Sequence, residues 1–214
     1  MLNQQQLLAI GHLAKQHNIF VISDEVYKDF LYAGEPFFSL AQVPDFRSLV
    51  IRFFSFSKSY AMTGWRVGYL HTDESVAAEI LKVHDALVTC APVVSQYAAM
   101  GALEMGEADR EGFKREYIVR RDLICQRLDR LKDVFSYVRP TSSYFVFPKI
   151  LKSFEKQASF NSSWDFTLEM LGRARVVGVP GIAFGPSGEG HVRFSFGRSQ
   201  EDISEAFNRL EKIF

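Results

Sequence analysis

Neither sign of charge is in excess in this sequence: 25 lysine and arginine residues balance 25 aspartate and glutamate residues, and the formal net charge is zero. Without a basic stripe the chain has no broad electrostatic surface for nucleic acid or an anionic membrane, so we expect neither as a partner. The sequence also lacks an apolar run of the ~18 to 20 residues that a bilayer-spanning helix needs. Its first residues lack the basic start and apolar core of a secretion signal.

Cysteine is scarce as well. Only Cys90 and Cys125 occur, and neither has a partner at the spacing of metal ligands, so we expect no metal site. Both lie in helix-like segments and are predicted to be buried free thiols. Few cysteines and no targeting signal favour the reducing cytoplasm as the location.

What the sequence does contain is enough apolar material for a sizeable core, since 47% of its 214 residues are hydrophobic and 14% are aromatic. Helical periodicity and short apolar runs predict six helices and six strands. The predicted helices are 3–17, 75–88, 94–105, 109–132, 164–173 and 199–214. The predicted strands are 19–23, 49–54, 67–70, 144–147, 176–179 and 191–196.

The order of these elements predicts two domains. Strands alternate with helices up to residue 108, and a compact α+β segment follows, so we expect domains at 1–108 and 109–214. The apolar strand runs in the first half of the chain are not broken by a regular apolar/polar alternation, which favours an α/β sheet covered on both faces. Ser199 and Asp202 have the spacing of a helix-capping pair, and the polar stretch 152–163 predicts a mobile loop.

The most informative segment runs from Ser55 to Tyr69. It places Lys58 among small and hydroxyl residues, with Arg66 eight positions later. A lysine amine attacks an aldehyde only in its uncharged form, and a nearby cation favours that form. Arg66 and the serines can also donate hydrogen bonds to a phosphate. The segment predicts a site for a phosphorylated aldehyde cofactor, and a solvated surface lysine is the alternative.

Two further segments place polar groups where apolar residues dominate. Asp24 ends a strand-like run, with Tyr27 three residues later, and Arg193 lies inside an apolar strand. A buried charge is costly unless it has a partner, so each of these charges predicts one. The alternatives are a helix cap or simple salt bridge for Asp24, an ordinary half-buried tyrosine for Tyr27 and a structural salt bridge for Arg193.

Together with the motif Val179 to Gly185, these segments resemble the class I/II aminotransferases, fold-type I enzymes that use pyridoxal 5'-phosphate (PLP). The resemblance covers essentially the whole chain, but only the second half of what the family normally contains. It implies an α/β fold: part of the PLP-binding large domain, an α/β/α sheet, followed by a small α+β domain. It also implies PLP-dependent exchange of an amino group between an amino acid and a 2-oxo acid, and a homodimer in the full-length form.

The resemblance assigns a role to each cofactor residue. Lys58 would form a Schiff base with PLP and then move a proton at the substrate α-carbon, the work of a general acid and base. Asp24 would pair with the ring nitrogen and Tyr27 with the phenolic oxygen. Ser55 and Arg66 would bind the phosphate.

The resemblance also places the substrate. Arg193 matches the arginine that binds the substrate α-carboxylate, and Gly181 and Gly185 around Phe184 suit a tight turn near the pocket. One segment departs from the family: Thr141 to Tyr144 stands where a glycine usually precedes the aromatic strand, a change expected to alter the pocket wall.

Two other functions remain open from the residues. A β-lyase of the cysteine-S-conjugate type shares the same motifs and differs in what leaves after proton removal. A non-catalytic remnant would keep the fold without the cofactor, because the family's phosphate loop, stacking ring and asparagine are not found in this sequence. In that case sheet edges would be exposed and PLP affinity would fall.

Overall fold

A computed structural model describes residues 2–32, 36–104, 107–151 and 162–214. The chain divides into two compact units, Met1–Lys114 and Arg115–Phe214. The domain boundary expected after residue 108 stays a prediction.

The first unit is built on a three-stranded sheet with the order β1-β2-β3. Strand β1 runs parallel to β2, and β3 runs antiparallel to β2. The strands are β1 Val21–Asp24, β2 Val50–Ser55 and β3 Gly68–His71, and the helices are α1 Gln4–His17, α2 Phe56–Ser59, α3 Glu74–Val88 and α4 Val93–Glu104. Helix α5, Glu107–Arg130, runs from this unit into the second.

Local capping defines helix α1. Asn3 accepts a hydrogen bond from the Gln6 backbone at 2.9 Å, and the Gln6 side chain bonds back to the Asn3 backbone. This reciprocal box satisfies amide groups that have no partner within the helix. The helix packs closely at Gly11, where an added Cβ would lie 2.7 Å from the Phe46 ring.

Much apolar surface of the first unit is exposed. Among the described residues of α3 none is buried, and Leu87 is 77% exposed. Ile22 of β1 is 71% exposed and Tyr97 of α4 is 70% exposed. The expectation that the strands are covered on both faces is therefore wrong for β1, whose side chains alternate between half-buried and exposed, so that one of its faces is open in the described structure.

The second unit contains two small antiparallel sheets, β4-β6 and β5-β8-β7, together with helices. Its core is formed by fully buried side chains on three helices, on one strand and on the residue that follows this strand: Leu128, Met170, Val192, Phe196 and Leu210. The elements are β4 Phe135–Ser136, β5 Phe145–Val146, β6 Lys149–Ile150, α6 Ser163–Ala174, β7 Val179–Pro180, β8 Val192–Ser195 and α7 Gln200–Leu210.

The structure tests several predictions for this unit. Ser199 caps α7 by accepting a hydrogen bond from the Asp202 amide at 3.1 Å, so the predicted capping pair is confirmed. The strand predicted at 176–179 is wrong in extent, because only Val179 and Pro180 pair with β8. Of the predicted loop 152–163, residues 152–161 lie outside the described residues, while Ser162 and Ser163 begin α6.

The cysteines divide between surface and core. Cys125 is buried as expected, but Cys90 is exposed, because it follows α3, which buries none of its residues. No described helix has the length and apolar character that a membrane crossing requires. Across the same residues there is no cluster of side chains suited to a metal ion.

The carboxyl end of β1 is held by the buried side chain of Glu25, which is 5% exposed. Arg52 of β2 donates to Glu25 Oε2 from Nε at 2.9 Å and from Nη2 at 2.7 Å. The hydroxyls of Ser39 and Ser23 donate to Oε1 at 2.5 and 3.1 Å. All the charge on this carboxylate is thus compensated, as a buried ion requires.

Substitution of Arg52 tests this buried pair. Arg52→Met leaves the Glu25 charge buried with hydroxyl donors alone, so we expect the free energy of unfolding to fall by about 3 kcal/mol. The control is Lys82→Met, which removes an exposed ion pair with Glu79 and should cost less than about 1 kcal/mol. Urea denaturation measures both. Equal losses in the two variants would contradict a structural role for the buried pair.

Candidate active site

The residues predicted to bind the cofactor lie together at one edge of the first sheet, the edge formed by the ends of strands rather than by an outer strand. Because β1 and β2 are parallel, with Val21 opposite Val50 and Asp24 opposite Phe53, their carboxyl ends lie at the same edge. Asp24 ends β1 and Ser55 ends β2. The carboxyl ends of adjacent parallel strands are a common place for ligands in α/β sheets.

The antiparallel strand brings Arg66 to that same edge. Gly68, the first residue of β3, pairs with Ser55, so the residues just before β3 lie beside the end of β2. Arg66 has φ 51°, in the left-handed region that few residues other than glycine adopt. Such a backbone costs about 1 to 3 kcal/mol and is concentrated at functional sites. Its Nη1 donates to the Thr63 carbonyl at 3.0 Å.

Lys58 lies on a short segment that is anchored on both sides. Phe56, Met62 and Val67 are buried in one cluster with Ala99 and Ala102 of α4. The Phe56 amide donates to the Val67 carbonyl, and the Met62 amide donates to the Phe56 carbonyl, each at 3.3 Å. Lys58 is half-buried in the four-residue helix α2 between these anchors. Its position is therefore set by the packing of its neighbours.

Ser55 begins helix α2 as its cap. Its hydroxyl oxygen accepts a hydrogen bond from the Ser57 amide at 3.1 Å. Ser55 also lines a small cleft with Tyr60 and Tyr69, whose volume is about 20 Å³. This is room for a water molecule rather than a cofactor. Burial raises the pKa of the Tyr69 hydroxyl, so Tyr69 stays neutral around pH 7.

Asp24 and Tyr27 follow β1 in a turn. Asp24 is exposed, its Oδ1 accepts a hydrogen bond from the Val26 amide at 3.2 Å, and it forms no ion pair with any described residue. The simple salt bridge considered for Asp24 is therefore not found in this part of the chain. Tyr27 is half-buried, with its ring centroid 6.3 Å from that of Phe30. The roles of both residues stay predictions.

Arg193, the predicted substrate residue, belongs to the second unit. Strand β8 alternates, so that Val192 and Phe194 are buried while Arg193 is half-buried on the other face. The guanidinium carbon lies 4.2 Å from the ring centroid of Phe145 and 4.8 Å from that of Phe184. Within the described ranges no carboxylate forms an ion pair with Arg193, so the structural salt bridge is not found there. Two aromatic rings take its place.

Phe145 and Phe184 are functional candidates that the sequence analysis missed. The sequence predicts a strand at Phe145 and a turn around Phe184, without a link from either to Arg193. A signal was present in the strands: if residues 144–147 pair antiparallel with residues 191–196, aromatic side chains and Arg193 alternate onto a shared face. Phe184 comes from a separate turn, and no pattern in the sequence joins it to the strand.

Glycines determine the turn that carries Phe184. The 3-10 helix Gly181–Phe184 directly follows β7. A Cβ added to Gly181 would lie 1.8 Å from the Gly188 carbonyl oxygen, and one added to Gly188 would lie 2.2 Å from the Gly181 carbonyl oxygen. No larger residue fits this close approach of two backbones, and Gly185 has φ +102°. The tight turn expected here is present.

The segment Thr141 to Tyr144, which departs from the family pattern, has an unusual backbone conformation at Ser143. Ser143 has φ 65°, in the left-handed region where a glycine would be unstrained. The chain therefore keeps the conformation that favours glycine while carrying a serine. The next residues are Tyr144 and Phe145, so this turn leads directly into the strand that carries a ring against Arg193.

Comparison with known proteins decides the family. The family described as aminotransferase class I and II matches residues 1–210 of the chain. The chain belongs to this family. A probable N-acetyl-LL-diaminopimelate aminotransferase of Bacillus subtilis is 38% identical over 98% of the chain and 51% of its own length. The aromatic-amino-acid aminotransferase 2 of Thermococcus litoralis is 36% identical over 100% of the chain and 53% of its own length.

Solved aminotransferases share the fold. An aromatic aminotransferase from Pyrococcus horikoshii superimposes with a TM-score of 0.90 at 33% identity, over 100% of this chain and 56% of that one. A Thermus thermophilus aspartate aminotransferase double mutant gives 0.87 at 29% identity, over 99% of this chain and 53% of that one. The predicted α/β fold of part of a fold-type I enzyme is confirmed. The class I/II aminotransferase chain described here spans about half the length of these relatives.

A hydrogen-bond network around the Glu189 carboxylate joins the turn that carries Phe184 to helix α6. Glu189 accepts hydrogen bonds from the Ser163 amide at 2.5 Å, the Gly190 amide at 3.0 Å and the Ser163 hydroxyl at 3.1 Å. The Ser163 hydroxyl in turn accepts from the Ile182 amide at 3.1 Å. The backbone amide of Ser163, followed by that of Gly190, lowers the pKa of the Glu189 carboxyl below its usual range.

The lowered pKa of Glu189 predicts a pH dependence of stability. Its contribution is complete above the unfolded-state pKa of about 4.3 and is lost as the pH falls through the lower folded-state pKa. Glu189→Gln should cost about 1 kcal/mol at pH 7 and should lose less stability than the wild type on acidification below about pH 5. Urea midpoints measured between pH 3 and pH 7 test this.

The control for that experiment is Glu169→Gln, which alters an exposed ion pair with Arg173 on α6. This variant should follow the wild-type pH profile. A Glu189→Gln profile parallel to that of the wild type would show that the network is not a source of the acid sensitivity.

Proposed function

We propose that this protein is a PLP-dependent aminotransferase that moves an amino group from an amino acid to a 2-oxo acid, with its cofactor attached at Lys58. The observation that carries this proposal is the meeting of four groups at one sheet edge. A carboxylate, a hydroxyl and a guanidinium lie at strand ends there, and an amine lies on the helix that directly follows β2. Family membership supports the same function.

The donor set at this edge fits PLP group by group. A primary amine suits an aldehyde, an anionic carboxylate suits a protonated ring nitrogen, and a hydroxyl with a guanidinium suits a phosphate. Lys58, Asp24, Ser55 and Arg66 would provide these groups in that order, and Tyr27 would contact the phenolic oxygen. When bound, PLP supplies an electron sink for the charge that develops at the substrate α-carbon.

The chain's own residues would then do three kinds of work. The Lys58 amine takes and returns the proton at the substrate α-carbon, a role typically worth ~10² to 10⁴ in rate. The anionic carboxylate of Asp24 holds a proton on the ring nitrogen, which strengthens the electron sink. Arg66 and Ser55 hold the phosphate, and Arg193 binds the substrate α-carboxylate through charge-assisted hydrogen bonds.

The substrate class follows from this chemistry. Relatives of the chain are named for aspartate, for aromatic amino acids and for N-acetyl-LL-diaminopimelate. All these substrates share an α-amino group and an α-carboxylate. The proposal therefore takes a 2-amino acid and a 2-oxo acid as the substrate pair.

Covalent trapping at Lys58 tests the cofactor site. The purified chain is incubated with PLP, reduced with borohydride and digested, and the modified peptide is located by mass spectrometry. Lys58 should carry the label, and Lys58→Ala should lose both that label and any visible absorbance that develops with PLP. The exposed Lys82 provides the control, since Lys82→Ala should be labelled as in the wild type.

The result that would contradict the cofactor site is equal labelling of the wild type and Lys58→Ala. For a chain that is labelled, transamination is measured by the 2-oxo acid formed from an amino donor. Product that appears without any 2-oxo acid acceptor, and with loss of a side-chain group, would indicate β-elimination instead.

We also propose a homodimer, which the family resemblance implies for the full-length form. The support is the apolar surface of α3 and α4, where Leu87 is 77% exposed and Tyr97 is 70% exposed. Exposed apolar surface on this scale is typical of interaction sites. The other proposed partners are the amino acid and the 2-oxo acid named above as substrates.

We propose the cytoplasm as the location of the protein, which cell fractionation would check.

Sedimentation velocity tests the dimer. We expect the wild-type chain to sediment as a dimer at micromolar concentration, and Leu87→Lys to shift it toward the monomer because a charge enters an apolar interface. Val138→Lys, at a single 88% exposed apolar residue of the second unit, is the matched control. A wild-type chain that stays monomeric as its concentration rises would rule the dimer out.

A further inference from the structure

The surroundings of Arg193 show how a permanent charge is held on a strand without a carboxylate. The guanidinium lies 4.2 Å from the Phe145 ring centroid and 4.8 Å from the Phe184 ring centroid. No ion pair to Arg193 is formed by the residues that the structure describes. A ring face attracts a cation through its quadrupole, and it leaves the N–H groups of the guanidinium available to an anion.

Sheet register places Phe145 on the same face as Arg193. Phe145 pairs with Ser195, and Val146 pairs with Phe194. Side chains alternate along a strand, so Phe145, Ser195 and Arg193 project from one face, while Val146 and Phe194 project into the core. Phe145 is therefore a diagonal neighbour of Arg193 across the strand pair, within reach of a long side chain.

Phe184 is held by three independent restraints. The Gly181 amide donates to the His191 carbonyl at 2.8 Å, which ties the start of the turn to the residue before β8. The Ile182 amide is bound by the Ser163 hydroxyl. The Phe184 ring meets the Phe147 ring edge to face, with centroids 5.5 Å apart at 87°, and Phe147 stacks on His191 at 4.9 Å. These contacts restrain the ring although it is 48% exposed.

We propose that Phe184, together with Phe145, is a positioning residue that holds the Arg193 guanidinium ready for a carboxylate. This inference rests on the proposed function, because it assigns the carboxylate site to Arg193. An aromatic clamp differs from a carboxylate partner in one respect: it orders the cation without competing with the incoming anion. The ordering cost is then met before the anion binds, which raises affinity.

The test uses the full chain and a carboxylate that cannot react with an aldehyde, 3-phenylpropionate. The Nε–H resonance of Arg193 is assigned in the nitrogen-15 spectrum by its loss in Arg193→Lys, and is then followed during titration. Phe184→Leu keeps an apolar side chain but removes the ring. We expect the apparent Kd for the carboxylate to rise about three- to tenfold in this variant.

Rescue and controls separate positioning from general damage. Phe184→Tyr keeps the ring and should stay within about twofold of the wild type. Phe113→Leu, the same loss of a ring at an exposed position of α5, should behave as the wild type. Borohydride labelling of Lys58 by PLP should be unchanged in all three variants.

Every outcome of the titration and of the Lys58 labelling either supports or contradicts the proposal. The proposal is overturned if Phe184→Leu binds the carboxylate as the wild type does, if Phe184→Tyr is weakened as much as Phe184→Leu, or if the wild-type Arg193 resonance does not respond to the carboxylate. Loss of Lys58 labelling in Phe184→Leu would also overturn it, since the damage would then be general. A wild-type chain that shows the Arg193 response but no Lys58 labelling would support the clamp and reject the proposed cofactor site.

Discussion

The buried carboxylate of Glu25 is the constraint on which the rest of the first unit depends. It accepts hydrogen bonds from Arg52, Ser39 and Ser23, and so locks the end of β1 to β2 and to the segment after it. A buried charge tolerates little displacement, because any partner that it loses leaves an uncompensated ion. The neighbouring Asp24 is thereby held at the sheet edge, beside the end of the strand that leads into the Lys58 helix.

The guanidinium groups of the chain are held in place in two different ways. Arg52 is paired with a buried carboxylate and lies 4.7 Å from the centroid of the Phe54 ring, so its charge serves the fold. Arg193 is held by aromatic rings instead, and Arg66 is held by a strained backbone and a single carbonyl of the chain. In the described residues neither of these two forms an ion pair. Charges ordered in this way remain able to bind an anion that arrives from solution.

The sequence predicts the structure correctly where neighbouring residues alone determine it. The capping pair of Ser199 and Asp202, the helical periodicity of α1 and the apolar run of β2 are all decided within a few residues. The errors arose where distant parts of the chain decide. Cys90 is exposed because nothing in the described chain covers α3, and the strand predicted at 176–179 is shortened because only Val179 and Pro180 find partners on β8.

By itself the sequence determined the family, the α/β class and the identities of the candidate residues, because these depend on residue types at given spacings. Their roles remain predictions. Only the tertiary structure decided that Asp24, Ser55 and Arg66 share one sheet edge, since strand direction and register are set by pairing between distant segments. It also decided that Phe184 faces Arg193, because this contact depends on a turn whose two glycine backbones touch and on a sheet whose register no local pattern specifies.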